Sequence, residues 1–150
     1  MSESTDEAFL RNIRIAELLI SQFAENRHLI ISRIEANGDG LFVDISKQKG
    51  LNFDLHLTLT NADEFGIAFE DFSSTFFPFP ANESQVVELL DGIHSGEVGM
   101  MKFGRGQRPL KLKLVRRRTG TVKTLYTYFP RPSFPFFLNR IGEIRNNPEH

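Results

Sequence analysis

The sequence predicts an α+β domain over residues 1–150, with a single twisted antiparallel sheet of about six strands and two main helices on one face. Two segments repeat apolar residues every three to four positions, which is typical of helices. Other segments alternate apolar and polar residues, which is typical of antiparallel strands with one buried face. The predicted order is helix, four strands, helix, two or three strands and a short last helix.

The first helix is predicted from about residue 6 to 26, because Ser4 and Glu7 have the spacing of a capping box. Its narrow apolar stripe consists of Phe9, Ile13, Ala16, Ile20 and Phe23. Three further apolar residues lie off this stripe, namely Ile15, Leu18 and Leu19. We expect this second apolar edge to be covered by the C-terminal segment or to contact another subunit.

Four consecutive antiparallel strands are expected next. The first covers residues 28–35 and the second residues 41–45, with a hairpin turn at Asn37-Gly38-Asp39-Gly40. The third, residues 51–60, is the cleanest alternating run, and the fourth covers residues 65–69. The uncharged stretch that follows contains two prolines, which argues against a central strand there.

The second helix is expected to begin after Asn82, a good N-cap, and to end at Gly96. A short strand at residues 100–103 precedes a hairpin that turns at Thr119-Gly120. Residues 137–144 suggest the short last helix. This order of elements is similar to that of the small dimeric chaperones of type III secretion, and the resemblance is one of layout.

Charge is distributed very unevenly along the chain. Residues 1–97 carry 17 acidic and 6 basic side chains, whereas residues 98–142 carry 11 basic side chains and no acidic one. The absence of Cys excludes disulfides, thiolate zinc sites and a cysteine nucleophile. The acidic, polar start does not resemble a signal peptide, and no apolar run reaches the roughly 20 residues that span a bilayer. We therefore expect a cytoplasmic protein with no membrane partner.

The basic hairpin is the first candidate site. A two-residue turn would pair Arg118 with Thr121, Lys113 with Tyr126 and Lys111 with Tyr128, with Arg116, Arg117 and Arg118 at the tip. Cations between aromatic rings suit an acidic protein surface, and they also suit nucleic acid. Alternatively, they only discourage aggregation at a sheet edge and are partly neutralised by the chain's own acidic strands.

Asp44, Asp54 and His56 form a weaker candidate, for a divalent metal or for acid–base chemistry. A three-residue turn at Gln48-Lys49-Gly50 would place Asp44 across from Asp54, with His56 pointing the same way. A turn longer by two residues would separate the carboxylates. Polar residues on a solvated strand face explain the same pattern, so we assign no metal and no catalytic residue, and we expect no cofactor.

Two Phe–Pro stretches, residues 72–80 and 129–137, contain 8 of the 15 Phe. Their rings either fill the core around the helix ends or form a protein-binding patch. For such a patch, the first candidates are Phe76, Phe77 and Phe79.

These patterns favour a non-catalytic protein-binding domain, of the escort-chaperone or immunity-inhibitor kind, rather than an enzyme. Its partner is expected to be an acidic protein, and a homodimer is possible. The first alternative is a nucleic-acid accessory protein that uses the same hairpin. The second is a metal-dependent enzyme at Asp44, Asp54 and His56.

Overall fold

Nine strands in two antiparallel sheets, together with two helices, make up the part of the chain that the computed structural model describes, residues 5–105, 108–129 and 138–149. In chain order the elements are α1 (Thr5–Asn26), β1 (Arg33–Asn37), β2 (Gly40–Ile45), β3 (Leu55–Thr60), β4 (Glu64–Phe69), β5 (Phe72–Phe76), α2 (Glu83–Ser95), β6 (Val98–Arg105), β7 (Arg108–Arg118), β8 (Thr121–Tyr128) and β9 (Asn139–Arg145). The predicted α+β class is confirmed. The strands form sheets of five and four, where the sequence predicted about six in one sheet.

Helix α1 buries the stripe that the sequence predicts. Ile13, Ala16, Ile20 and Phe23 are all buried in the core, and acidic residues in the first turn favour the helix N-terminus. The helix ends where Leu29 donates its backbone N–H to the carbonyl of Ala24.

The first sheet is a meander in the order β1-β2-β3-β4-β5. Strand β1 begins at Arg33 rather than at residue 28, because residues 28–32 turn the chain away from α1 and His28 adopts a positive φ of 57°. The predicted hairpin is present, with Asn37 paired to Gly40. Strand β5 lies at the edge of this sheet, so the prediction that the Pro-containing stretch is not a central strand is confirmed.

Helix α2 ends where the sequence predicts. Gly96 caps it in the left-handed conformation, with φ 83°, and donates its N–H to the carbonyl of Ile93. At the other end, Asn82 stands at the N-cap position, but its side chain makes no capping hydrogen bond.

The second sheet has the order β8-β7-β6-β9. The predicted last helix is wrong, since residues 139–145 form strand β9 and pair with β6. Leu138, Ile141 and Ile144 have a spacing that fits a helix, but the free edge of β6 provides backbone hydrogen bonds for an extended chain. Residue 137, which began the predicted helix, lies outside the described residues.

Buried side chains from both helices and both sheets form one continuous cluster. Within it, the ring centroids of Phe53 and Phe69 lie 4.8 Å apart and those of Phe65 and Phe79 lie 5.1 Å apart. Among the described residues, neither helix combines the length and the apolar character needed to cross a membrane.

Candidate functional site

The register of the basic hairpin differs from the predicted one. Arg118 pairs with Thr121 as expected, but a bulge between Leu114 and Val115 shifts the pairing beyond it. Leu114 therefore lies opposite Tyr126, Leu112 opposite Tyr128, and Lys113 opposite Thr127. The predicted Lys–Tyr pairs are wrong, because one extra residue on β8 moves the tyrosines to the face of the buried leucines.

Tyr126 accordingly turns toward the body of the molecule. Its ring centroid lies 6.4 Å from that of Phe72 and 6.3 Å from that of Phe76, and the Phe76 contact is edge-to-face. These distances are typical of aromatic packing. Tyr126 thus helps to close the gap between the two sheets.

Two of the three arginines at the tip are paired with acidic residues of the same chain. Arg116 lies 3.1 Å from Glu88 of α2, and Arg118 lies 3.3 Å from Glu88 and 2.6 Å from Glu97. The hydrogen bond to Glu97, followed by the charge of that carboxylate, raises the pKa of Arg118. The acidic part of the chain therefore neutralises this side of the hairpin.

The other side of the four-stranded sheet faces away from the core and collects most of the remaining cations. Leu112 and Leu114 are fully buried, so Lys111 and Lys113, which alternate with them along β7, point to the opposite side. Lys113 and Glu143 are both register partners of Met101, which places Glu143 on the same side. Glu143 contacts three arginines. We call this surface the basic face, and its members are Lys111, Lys113, Arg117, Arg140, Arg145 and Glu143.

Glu143 lies at the centre of the basic face, with a side chain that is only 15% exposed. Its carboxylate oxygens lie 2.8 Å from Arg117, 2.8 Å from Arg140 and 2.9 Å from Arg145. Burial acts to raise the pKa of Glu143, but hydrogen bonds from Arg145 and Arg117 and the charges of these arginines outweigh it. The pKa of this carboxyl is therefore lowered, and Glu143 is ionised at neutral pH.

A glycine makes room for one of these arginines. A Cβ at position 99 would lie 2.9 Å from Cζ of Arg145, which is closer than real Cβ contacts allow. Arg145 therefore lies flat across β6, where it also donates to the carbonyl of Gly96. Its neighbour across the sheet is Val115, which is buried although it lies outside the main core.

The two lysines of the basic face lie over an aromatic ring. The ammonium nitrogens of Lys111 and Lys113 are 4.8 and 5.5 Å from the ring centroid of Phe103. Such cation–π contacts hold the lysine side chains against the sheet. Neither lysine forms an ion pair within the described part of the chain, so both charges remain available to a partner.

The structure brings together only two members of the Asp44, Asp54 and His56 set. Asp44 pairs with His56 across the strands, not with Asp54, and His56 Nδ1 lies 2.6 Å from Asp44 Oδ1. The predicted facing carboxylates are wrong because residues 46–54 form a longer connection, in which Asp54 accepts the backbone N–H of Lys47. Across residues 5–105, 108–129 and 138–149, no three His, Cys, Asp or Glu side chains are arranged to hold a metal ion.

The three phenylalanines chosen from the first Phe–Pro stretch have different surroundings. Phe76 and Phe79 are buried, whereas Phe77 is 64% exposed. The first stretch therefore contributes mostly to the core. Of the second stretch, only Phe129 is described, and it is exposed; residues 130–137 lie outside the described part.

Sequence reasoning did not select Phe103, Arg140, Arg145 or Glu143. Two of these, Arg140 and Glu143, lie three positions apart in the segment that was predicted to be helical, and an extended segment presents its side chains differently. Their shared face depends on the pairing of β9 with β6, between residues about 40 positions apart in the chain.

Compared with protein-family models, with curated proteins and with solved structures, the chain has no match. The function of this chain is therefore inferred from the chemistry of the basic face.

Proposed function

We propose that this chain is a non-catalytic domain that binds an acidic segment of another protein on its basic face. The observation that carries the proposal is the convergence of Arg117, Arg140 and Arg145 on a single carboxylate, Glu143. Three arginines contact this one acidic group, and two lysines lie on the same sheet face, which neither of the described helices covers. An excess of positive charge on one surface steers association with acidic partners.

The chemistry of the arginine cluster favours carboxylates as ligands. Each guanidinium has five N–H donors in a planar fork, and Glu143 uses only part of this capacity. Aspartate or glutamate side chains of a partner can accept the remaining donors, with geometry like that of Glu143 itself. The ammonium groups of Lys111 and Lys113 extend the positive surface along β7.

The aromatic residues favour a protein over a nucleic acid. Proteins that bind single-stranded nucleic acid usually present aromatic rings on which bases stack. On the basic face, lysine ammonium groups lie over the ring of Phe103. Tyr126, which the sequence placed opposite Lys113, instead packs against Phe72 and Phe76. Among the described residues, the basic face therefore offers charge without a free ring on which bases could stack.

The proposal is tested by fluorescence anisotropy with a labelled oligoglutamate peptide, at about 50 and about 200 mM salt, a range over which the Debye length shortens markedly. We expect saturable binding that weakens with salt. The variant with both Lys111→Gln and Lys113→Gln should bind the peptide more weakly, because it removes the two unpaired charges. Lys123→Gln is the matched control. Lys123 is the strand partner of Arg116, so it lies on the face of the hairpin that points away from Lys111 and Lys113.

A labelled single-stranded oligonucleotide of equal charge serves as the competing ligand. Tighter binding of the oligonucleotide than of the peptide would overturn the proposal in favour of the nucleic-acid alternative. No binding of either ligand at low salt, or an equal loss with Lys123→Gln, would also overturn it. An escort chaperone and an immunity-type inhibitor would both use such a surface, and identifying the partner separates them.

A further inference from the structure

An apolar groove of about 240 Å³ runs between the two helices, on the side of the molecule that the sheets do not cover. Its apolar lining comes from both helices and consists of Ile15, Leu18, Leu19, Phe23, Val87 and Leu90. Leu18 is 60% exposed and Val87 is 39% exposed. Of the second apolar edge of α1, Leu19 is buried in the core and Ile15 packs against it, so Leu18 is the residue that the described part of the chain leaves exposed. Exposed apolar surface with a polar margin is typical of protein interfaces.

The margins of the groove are acidic on one side. Glu83 and Asp91 of α2 both line it, one near each end, and Asp91 forms an ion pair with Arg27. A segment that fits the groove would therefore combine apolar side chains with a positive charge.

The exposed side of α1 itself has this composition. Leu10 and Leu18 are both more than half exposed, and Arg14 lies between them at helical spacing. Arg14 is exposed and forms no ion pair with any residue in the described part of the chain. One copy of this chain therefore carries both the acidic-edged groove and an apolar, basic helix face that matches it.

We propose that the groove is occupied by α1 of a second copy, in a two-fold symmetric dimer. In such an interface the same surface of each copy contacts the other. With the two-fold axis perpendicular to α1, the two copies of the helix run antiparallel. With Leu18 near the axis, a residue that precedes Leu18 in one copy faces the residue that follows Leu18 by the same number of positions in the other copy. Arg14 of each copy then lies opposite Gln22 of the other, which lines the groove.

This dimer does not depend on the proposed function, because the basic face lies on the opposite side of the sheet from the helices. The direct test is sedimentation velocity from about 1 to 100 µM, a range in which weak interfaces of ordinary size associate. We expect the mass of two chains at the highest concentration. The mass of one chain throughout the range would overturn the proposal.

Leu18→Glu is the first variant. It places a carboxylate at the proposed axis, facing its own symmetry mate and close to Glu83 and Asp91, and should weaken dimerisation by at least about tenfold. Because Leu18 is largely exposed, the melting temperature of the variant should stay close to that of the unmodified chain. Ile30→Glu is the matched control: Ile30 is 76% exposed and lies outside the groove, so the dimer should persist. A dimer unaffected by Leu18→Glu would overturn the proposal.

A charge exchange tests the arrangement of the helices. Arg14→Glu should weaken the dimer by roughly threefold to tenfold, as expected for a charge at the margin of an interface. Adding Gln22→Arg to this variant restores an opposite charge at the facing position, so dimerisation should recover. Failure of Gln22→Arg to restore it would rule out the antiparallel arrangement of α1.

Discussion

The five-stranded and four-stranded sheets differ in how much of each is buried. In the larger sheet, every inward side chain of β3 and of β4 is buried. In the smaller sheet, β8 has only Leu125 partly buried, and its other residues are exposed. The larger sheet therefore buries more apolar side chains than the smaller one, and the smaller sheet has a surface that tolerates change.

The outer faces of the two sheets also differ in how their charges are paired. On the larger sheet, Asp44 contacts both Arg33 and His56, and Arg33 also contacts Glu35. On the smaller sheet, three arginines share Glu143, and Lys111 and Lys113 form no ion pair within the described residues. Charges that pair with one another locally leave little electrostatic potential to attract a partner. Cations that outnumber their acidic neighbours keep both their positive potential and free N–H donors. The smaller sheet is therefore the surface that we propose for binding.

The largest expected effect tests the difference in burial. Leu57→Ala removes a fully buried side chain from the middle of β3 and should cost about 3–4 kcal/mol of unfolding free energy. Leu125→Ala, in the partly buried position of β8, should cost only about 1 kcal/mol. Urea unfolding followed by circular dichroism measures both. Equal losses would contradict the division between a stabilising and a tolerant sheet.

A second substitution tests how the two sheets are joined. The buried side chain of Asn146 follows β9, donates to the carbonyls of Gly50 (3.0 Å) and His94 (2.6 Å), and accepts the N–H of Asn52 (2.7 Å). Asn146→Ala leaves these buried backbone groups without partners and should cost about 2–3 kcal/mol in the same urea experiment. The exposed Asn139→Ala is the control, with little expected change. A neutral result for Asn146→Ala would mean that water replaces the lost hydrogen bonds.

The arginines at the hairpin tip provide a smaller test. Arg116 is only 15% exposed and pairs with Glu88, so Arg116→Ser should lower stability by about 1 kcal/mol. Arg118→Ser should leave the melting temperature unchanged, because Arg118 is far more exposed. Thermal melts of the two variants show whether the loss of stability depends on the burial of the arginine or only on the loss of its charge.

The smallest effect is a pH dependence from His94. Burial lowers the pKa of His94 and the charge of Arg27 lowers it further, so the folded chain favours the neutral ring. The unfolded chain binds a proton more readily, and stability should therefore fall as the pH drops below about 6.5 and level off below the folded pKa. Urea midpoints at a series of pH values measure this. His94→Gln should reduce the dependence, and an unchanged slope would exclude His94 as its source.

Much of the fold follows from local patterns in the sequence. The stripe of α1, the alternation in β2 to β4, the Gly96 cap and the turn at Thr119-Gly120 each depend on residues close together in the chain. Local spacing could not decide whether residues 139–145 form a helix or a strand, because their apolar residues fit both. Their strand depends on β6, a partner distant in sequence.

The candidate site was only partly predictable for the same reason. The sequence correctly marked Lys111, Lys113 and Arg117 as members of a basic hairpin. It could not show the bulge beside Val115, because the bulge depends on the packing of Tyr126 against Phe72 and Phe76 of the other sheet. Nor could counting charges show that Arg116 and Arg118 face Glu88 while Arg117 faces Glu143.

The concentration of positive charge on one face of the molecule has a consequence for behaviour in bulk solution. The formal net charge of the chain is −1, so separate molecules barely repel one another as whole bodies. The basic face of one molecule then attracts acidic side chains of its neighbours, and salt weakens that attraction within a Debye length of about 10 Å at 0.1 M. The protein should therefore salt in, with a solubility that rises as the ionic strength increases from very low values.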